Sequence, residues 1–401
     1  MLLLVLSLVG LAAVLNGLRP VRWTPLVIPA FFAAWLTVEL APQLFALTVV
    51  VLVVGAVSGA LSGVGWVGLA LTVLVLAGLA WMVVQSERAA FVADAVLRSW
   101  PEAGEPEPHR PTWLRRFFVP MAFQHPDVER VVDVRYHDEH PRHRLDVYCR
   151  KDRPTGAPTL VQVHGGGWVI GDKREQGRPL MLHLASRGWV CFAPNYRLSP
   201  RATFPDHLVD VKRAIAWVRE HGHEYGADPG FLVLTGGSAG GHLAALAALT
   251  ANDPTYQPGF EEADTTVQGC IPYYGVYDLL AETGTTAAKV REKRLLANLV
   301  MKTRDRAAYE RASPLAQVHA DAPPFLVVHG RNDTLVPVEE ARLLVERLRA
   351  VSTQPVLYLE LPGTEHAFDV FPSIRSDHVV RAVGRFCELL RERATSPGRD
   401  R

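Results

Sequence analysis

The hydrophobic pattern divides the chain into an apolar N-terminal part and a longer part in which charged and apolar positions mix. Residues 1–86 carry only three charged side chains, those of Arg19, Arg22 and Glu39. Four apolar stretches fill this part, at residues 2–16, 26–40, 44–61 and 64–84. At about 1.5 Å per helical residue the last stretch reaches roughly 30 Å, the thickness of a bilayer's hydrocarbon core. The pattern predicts an all-α transmembrane region of three segments, with four as the alternative.

Arginines flank this apolar region and indicate its orientation. Arg19 and Arg22 follow the first stretch, and five arginines follow the last one: Arg88, Arg98, Arg110, Arg115 and Arg116. Basic residues next to membrane segments favour the cytoplasmic side. Three crossings bring both groups to one side, whereas four crossings separate them. We therefore expect a multi-pass membrane protein whose larger, soluble part lies in the cytoplasm.

Residues 87–130 are interpreted as a linker followed by an interfacial or lid segment. Proline and glutamate are concentrated at residues 101–111 and oppose a continuous helix there. Residues 112–123 then combine four aromatic side chains with two arginines. This combination is typical of an interfacial helix or a lid over an apolar pocket, and equally of a segment packed on the domain. At the other end of the chain, residues 394–401 are predicted to be a disordered tail.

Residues 131–393 alternate between strand-like and helix-like patterns. Residues 131–136 and 144–149 predict a hairpin, and six short apolar runs follow it, separated by segments such as 204–221 with apolar residues at helical spacing. Strands that are apolar on both faces and alternate with helices predict a mostly parallel, doubly wound sheet, an α/β fold. Such a sheet presents its chemistry in the loops at the carboxyl ends of its strands.

Composition excludes several classes of protein. Forty-two basic against 41 acidic side chains give a net charge of +1, which argues against a nucleic-acid binder with a broad basic field. A content of 49% hydrophobic and 21% charged residues argues against a disordered chain. Its four cysteines show no C-x-x-C spacing, and the sequence contains no H-E-x-x-H. We therefore predict no metal site.

One predicted strand end carries the sequence Gly236-Gly237-Ser238-Ala239-Gly240. A serine in a strained turn between a strand and a helix is held clear of the backbone, and flanking glycines are needed because side chains there would clash. The start of the following helix supplies N–H groups that favour developing negative charge. The apolar run before the serine and the alanine-rich segment after it provide the required strand and helix. Ser238 is therefore the candidate nucleophile.

A second strand end reads His164-Gly165-Gly166-Gly167-Trp168. Three glycines after a strand leave backbone N–H groups open to a ligand, and an α/β-hydrolase places the second half of its oxyanion hole there. His164 is predicted to shape this loop through a hydrogen bond and to take no part in the chemistry.

The nucleophile requires a base and an orienting acid, in the chain order serine, acid, histidine. Asp333 and His366 each follow a predicted strand, so both belong to the same sheet edge as Ser238. Glu365 and Asp369 are the competing acids. Both lie too close to His366 in sequence to reach its Nδ1 easily, so Asp333 is the preferred partner.

Five motifs together resemble the branch of the α/β-hydrolases that is similar to hormone-sensitive lipase. They occur in the family's order over nearly all of the soluble part: HGGGW at 164–168, NYRLSP at 195–200, GGSAGG at 236–241, HGRNDTLVP at 329–337 and EHAFD at 365–369. The resemblance implies a Ser238, Asp333 and His366 triad, with oxyanion N–H groups from Gly165, Gly166 and Ala239. Supporting loop residues are then His164, Gly167, Trp168, Gly236 and Gly240.

The resemblance also implies the reaction. We expect a membrane-anchored serine hydrolase that cleaves carboxylic esters through an acyl-enzyme, with no metal or organic cofactor. The partners are a small-molecule or lipid ester substrate and membrane lipids, and no nucleic acid. The alternatives are a hydrolase fold that binds a ligand or partner without catalysis, and an amidase, arylformamidase or prenylcysteine methylesterase. Acyl length, alcohol and oligomeric state are left open.

Overall fold

The computed structural model describes residues 1–22, 25–59, 61–100, 103–104, 113–118, 123–153 and 155–395. The helices are α1 (Leu2–Leu18), α2 (Val27–Glu39), α3 (Ala41–Val57), α4 (Gly65–Leu97), α5 (Trp113–Phe118), α6 (Arg178–Ser186), α7 (Asp206–His221), α8 (Ala239–Leu249), α9 (Thr286–Arg291), α10 (Arg306–Ala312), α11 (Val338–Val351) and α12 (Ile374–Thr395). The strands are β1 (Val128–Arg135), β2 (Arg144–Arg150), β3 (Ala157–Val163), β4 (Val190–Pro194), β5 (Ala227–Gly237), β6 (Gly269–Tyr273), β7 (Phe325–Gly330) and β8 (Val356–Leu361). A π-helix, Glu292–Val300, continues α9.

The four apolar stretches form helices α1 to α4, which pack around a small core of their own. Val14 of α1 lies against Gly78 of α4, where an added Cβ would be 2.3 Å from a Val14 methyl group. Ser7 Oγ lies 2.8 Å from Thr72 Oγ1 and donates to the Gly68 carbonyl at 2.9 Å. Small residues and hydroxyl hydrogen bonds at a helix contact are typical of helices that pack in lipid.

One of these helices passes a length and hydropathy test for a membrane span. Within the described part of the chain only α4 is long and apolar enough to cross a bilayer by itself. Helices α2 and α3 pass the test only as a pair, and they meet at an 84° bend. Helix α1 is apolar but shorter. The structure thus supplies one candidate span, or two if the bent pair counts as one, and the predicted three or four crossings are not supported by helix length.

The soluble part is built on a single eight-stranded sheet with the order β1-β2-β4-β3-β5-β6-β7-β8. Strands β1 and β2 form the predicted hairpin, and β2 is antiparallel to β4. All pairings from β4 to β8 are parallel. The mostly parallel sheet predicted from the sequence is therefore confirmed. Because parallel strands point the same way, the loops after β3, β5, β7 and β8 leave the sheet at one edge.

Helices cover both faces of the sheet. On one face α7, α8 and α11 enclose a core with the inward side chains of the sheet. On the other face α6 and α12 do the same, joined by the end of α4 through Ala89, Ala93 and Leu97. Burial on both faces explains why the central strands read as continuous apolar runs.

Helix α4 crosses the predicted division at residue 86. It runs unbroken from Gly65 to Leu97, so its first part belongs to the apolar bundle and its last turns belong to the core of the soluble part. His378 of α12 lies 2.7 Å from Glu87 of α4 and fixes this contact. Glu87 therefore interrupts the apolar pattern of the sequence, but the helix continues past it, because its side chain contacts His378 on the domain. Most of residues 101–112 and the end of the predicted tail lie outside the described residues.

Candidate active site

Ser238 occupies the sharp turn between β5 and α8. Its backbone has φ 58° and ψ −120°, a conformation that costs a non-glycine residue about 1–3 kcal/mol and is held by the surrounding structure. Gly240 is required by close approach, because a Cβ there would lie 2.2 Å from the Val163 carbonyl oxygen. The turn therefore packs directly on the end of β3, and the serine projects from the sheet edge at the start of α8.

The glycine loop after β3 lies beside this turn, but it does not offer all three predicted N–H groups. The N–H of Gly165 donates to Gln176 Oε1 at 2.7 Å, and Gly165 is not among the residues lining the cavity. Gly166 and Gly167 do line the cavity, both with positive φ. The assignment of Gly165 to the oxyanion hole therefore conflicts with the geometry, since its only N–H is already engaged. Gly167, predicted as a supporting residue, is better placed.

His164 and Trp168, at the two ends of the glycine loop, hold it in place through buried hydrogen bonds. His164 Nδ1 donates to the Gly165 carbonyl at 2.8 Å, and its ring stacks on Tyr196 at 4.3 Å. Burial lowers the pKa of His164 to about 4, so the ring is neutral and structural. The buried Trp168 indole donates to His242 Nδ1 at 3.2 Å, and His242 Nε2 in turn donates to the Ala312 carbonyl at 2.8 Å. These bonds attach the loop to helix α8 and to the end of α10.

His366 and Asp333 meet in the loops after β8 and β7. His366 Nδ1 lies 2.6 Å from Asp333 Oδ2, and both side chains are buried. Asp333 Oδ1 accepts from the N–H groups of Leu335 and Val336 at 2.9 and 2.7 Å. Burial alone would raise the pKa of Asp333, but His366 and a second histidine, His329 at 3.3 Å, hold it below its ordinary value. The carboxylate is thus ionised and fixes the histidine tautomer.

The two competing acids are engaged elsewhere. Asp369 Oδ1 accepts from the Tyr274 hydroxyl, and burial raises the pKa of Asp369 to about 6. Glu365 Oε1 accepts from the N–H of His366 and from Thr334, at 2.9 and 2.8 Å. Burial and the nearby charge of Asp333 raise the pKa of Glu365 to about 8. Neither carboxylate bonds to the His366 ring, so the geometry favours Asp333 as its partner.

Ser238 and His366 line one cavity of about 880 Å³. The hydrogen bond of the His366 ring is the one to Asp333, and none joins this ring to the Ser238 hydroxyl among the described residues. Such bonds are often long in the ligand-free state and tighten when substrate binds. Gly166, Gly167 and Asp333 also line this cavity, which therefore holds a hydroxyl, an imidazole with its carboxylate, and backbone N–H groups within one concave site.

The cavity wall includes residues that the sequence did not single out. Helix α2 contributes Phe31, Phe32 and Trp35, and the Phe31 ring lies 6.2 Å from the His366 ring. The predicted lid at residues 112–123 contributes none of its described residues to the cavity, and α5 packs instead on α12 through Arg116 and Asp377. A signal for α2 was present in the aromatic cluster FFAAW within an otherwise aliphatic segment.

Comparison with known families decides the relationship. A family model named BD-FAE matches residues 145–348, just over half of the chain. The chain belongs to the BD-FAE family. The matched residues run from β2 to α11 and include Ser238, Asp333 and the glycine loop.

Two curated relatives come from Mycobacterium tuberculosis. The chain is 53% identical over 259 residues to one named "Probable carboxylic ester hydrolase LipM", covering 63% of this chain and 60% of that protein. It is 49% identical over 253 residues to one named "Esterase LipQ", covering 61% of this chain and 59% of that protein. The chain thus spans about three fifths of the length of each.

A solved thermophilic esterase from Thermogutta terrifontis with bound butyrate is similar to the soluble part. It is 28% identical, with a TM-score of 0.54, over 68% of this chain and 95% of that one. These comparisons confirm the α/β-hydrolase fold that the motifs resemble.

Proposed function

We propose that this protein hydrolyses carboxylic esters through an acyl-enzyme on Ser238. The observation that carries the proposal is the 2.6 Å contact between Asp333 and His366 inside the cavity that Ser238 also lines. The names of the two mycobacterial relatives and of the Thermogutta structure support the same class of reaction. The proposed chemistry uses only the Ser238 hydroxyl, the His366 imidazole, the Asp333 carboxylate and backbone N–H groups.

The reaction begins when His366 Nε2 takes the proton of the Ser238 hydroxyl as its oxygen attacks the ester carbonyl. The tetrahedral intermediate collapses, the C–O bond to the alcohol breaks, and His366 returns the proton to the leaving oxygen. Water then repeats both steps on the acyl-serine and releases the acid. Asp333 keeps the proton of His366 on Nδ1 and stabilises the imidazolium that forms in each half.

The oxyanion is held by backbone N–H groups at the start of α8 and in the glycine loop. We assign Ala239, Gly166 and Gly167 to this role, and leave Gly165 to its bond with Gln176. Gly166 has φ 109° and a Cβ there would lie 2.1 Å from the Ile170 carbonyl oxygen, so no other residue fits this turn. Losing one oxyanion donor costs about 10²- to 10³-fold in kcat in other hydrolases.

The N-terminal helices are proposed to anchor the protein in a membrane. The apolar outer surface of α3 and α4 supports this proposal, since Val50, Val53, Val54 and Trp66 are all more than half exposed. Helix α4 supplies the best-supported crossing, and the arginines that follow it favour a cytoplasmic location for the larger part of the chain.

The proposed function is tested by the purified full chain and its Ser238→Ala variant on an activated ester such as p-nitrophenyl butyrate. Wild-type turnover and a loss of about 10⁶-fold in kcat for the variant are expected. Ser58→Ala, which alters an exposed serine outside the cavity, is the matched control. Equal turnover by Ser238→Ala would contradict the mechanism, and a failure of the wild-type protein on every ester would favour a non-catalytic binding fold. A matched anilide separates esterase from amidase activity.

A further inference from the structure

One wall of the catalytic cavity comes from the N-terminal apolar region. Val27, Ile28, Phe31, Phe32 and Trp35 of α2 all line the cavity that holds Ser238. They lie about two hundred residues before the serine in the chain and outside the segment that the family model matches. The apolar region therefore contributes directly to the space in which a substrate is held.

Helix α2 is fixed to the loop that carries the catalytic histidine. The Trp35 indole donates to the Ala367 carbonyl at 2.9 Å and stacks on Phe371 at 4.7 Å. At the end of the helix, Glu39 pairs with Arg375 and accepts from Ser373 at 2.5 Å, all of them buried. A buried charge with two partners holds one geometry. The α2 wall is therefore a built part of the site.

Other apolar side chains line the cavity together with those of α2. They are Val290 of α9, Leu295 of the π-helix, Val336 and Val370, and polar residues such as Arg291 and Arg294 lie among them. The volume of about 880 Å³ lies in the range of sites that take drug-sized apolar ligands, about 300–1,000 Å³. A butyryl chain would leave most of this apolar surface in contact with water. Burial of each further methylene of a longer chain is favourable, so the cavity favours long chains.

The cavity opens beside exposed apolar side chains of α2. Ile28 and Phe32 line the cavity and are still 54% and 49% exposed, so they form part of its mouth. Leu36 continues this apolar surface one turn further along the helix. An exposed apolar surface at the mouth of an apolar cavity suits a ligand that arrives from lipid.

We propose that the substrate is an ester with a long apolar chain, and that α2 binds this chain after it enters from the bilayer. The inference rests on the proposed esterase function and names its substrate class. Phe31, Phe32 and Ile28 are then specificity-determining residues, although they belong to the region that otherwise serves as the anchor.

The test compares two esters that differ only in chain length. The full-length protein is reconstituted in phosphatidylcholine vesicles and assayed with p-nitrophenyl butyrate and p-nitrophenyl palmitate. The wild type is expected to have the higher kcat/KM for palmitate. The double variant Ile28→Ala/Phe32→Ala should lower the palmitate to butyrate ratio of kcat/KM by about tenfold or more, because it removes apolar contacts worth at least about 1.4 kcal/mol. The double variant Val50→Ala/Val54→Ala, which alters two exposed apolar residues of α3 outside the cavity, should keep the wild-type ratio.

A second variant narrows the cavity without changing α2. Ala287→Trp, at a cavity-lining position of α9, places a large side chain inside the cavity and should lower the same ratio. A wild-type preference for butyrate, or a ratio unchanged in both variants, would overturn the inference while leaving the esterase function standing. Absence of turnover with either ester would instead overturn the function and the inference together.

Discussion

The floor and the α2 wall of the cavity are built by different physical means. The floor consists of loops at the strand ends. Close glycine contacts hold Ser238 in a strained backbone conformation, and a short hydrogen bond joins His366 to Asp333. The wall is an apolar helix attached through Trp35 and Glu39. The reaction requires a serine, a histidine and an aspartate at fixed positions on the floor. The wall requires only apolar side chains and its two attachments, through Trp35 and Glu39. Changes to the floor should therefore abolish the reaction, and changes to the wall should alter stability, selectivity or rate more mildly.

After Ser238→Ala, the largest effect is expected from Asp333→Asn on the floor. The amide favours the wrong tautomer of His366, and the corresponding change in serine proteases lowers kcat by about 10⁴-fold. Steady-state hydrolysis of p-nitrophenyl butyrate measures the loss. Asp369→Asn changes an equally buried carboxylate that bonds to Tyr274, and its loss should be far smaller. Comparable losses in the two variants would show that Asp333 has no special role.

Arg375→Met should weaken the attachment of the wall. It leaves the Glu39 carboxylate buried without its cation, which costs about 3–5 kcal/mol of unfolding free energy in comparable pairs. Thermal unfolding of the purified protein measures the loss as a lowered Tm. The double variant Arg375→Met/Glu39→Gln removes the unpaired carboxylate as well and should recover part of the lost stability. An unchanged Tm in the single variant would mean that the pair does not hold α2.

Trp35→Phe should produce a smaller effect where wall and floor meet. The variant keeps an aromatic ring against Phe371 but loses the hydrogen bond to the Ala367 carbonyl, next to His366. Such a bond is worth about 0.5–1.5 kcal/mol, so kcat should fall roughly two- to tenfold. Trp66→Phe, on the exposed face of α4, is the matched control. If both variants turned over at the wild-type rate, α2 would not position the histidine loop.

Glu365 gives the floor a pH-dependent stability. Its pKa is raised from 4.5 to about 8, so the folded protein retains a proton that the unfolded chain has released. Stability therefore falls as pH rises through this window, by about 1 kcal/mol between pH 7 and pH 8. Glu365→Gln keeps an acceptor for Thr334 and the His366 N–H but cannot titrate. Its Tm should fall less than the wild-type Tm over this pH step, and parallel curves would contradict the assignment.

The sequence predicted the sheet because apolar strands and helical spacing leave a clear pattern, and it predicted where Ser238, Asp333 and His366 would lie because strand ends share one edge. Two features escaped it. The engagement of Gly165 depends on Gln176, eleven residues away in a loop whose conformation no local pattern encodes. The role of α2 was missed because helices that face lipid and helices that face a substrate cavity are both apolar, and the FFAAW cluster by itself does not say which of the two it faces.

The predicted domain division at residue 86 falls inside helix α4 for a related reason. Charged residues such as Glu87 ended the apolar pattern, yet the helix continues because its small residues Ala89 and Ala93 pack on the domain. Hydropathy reports the surroundings of a segment and not the ends of a helix. The first part of α4 lies in the apolar bundle, whereas its last turns pack on the domain. The remaining predicted boundaries and the number of membrane crossings stay predictions.

The central claim is that the hydroxyl of Ser238 is made reactive by His366 and Asp333. Labelling of the full chain with an alkyl fluorophosphonate, followed by mass spectrometry of the peptides, tests it most directly. We predict one adduct per chain, on Ser238, formed rapidly by the wild type and very slowly by His366→Ala. An adduct on another residue, or equal labelling rates in the two proteins, would contradict the account.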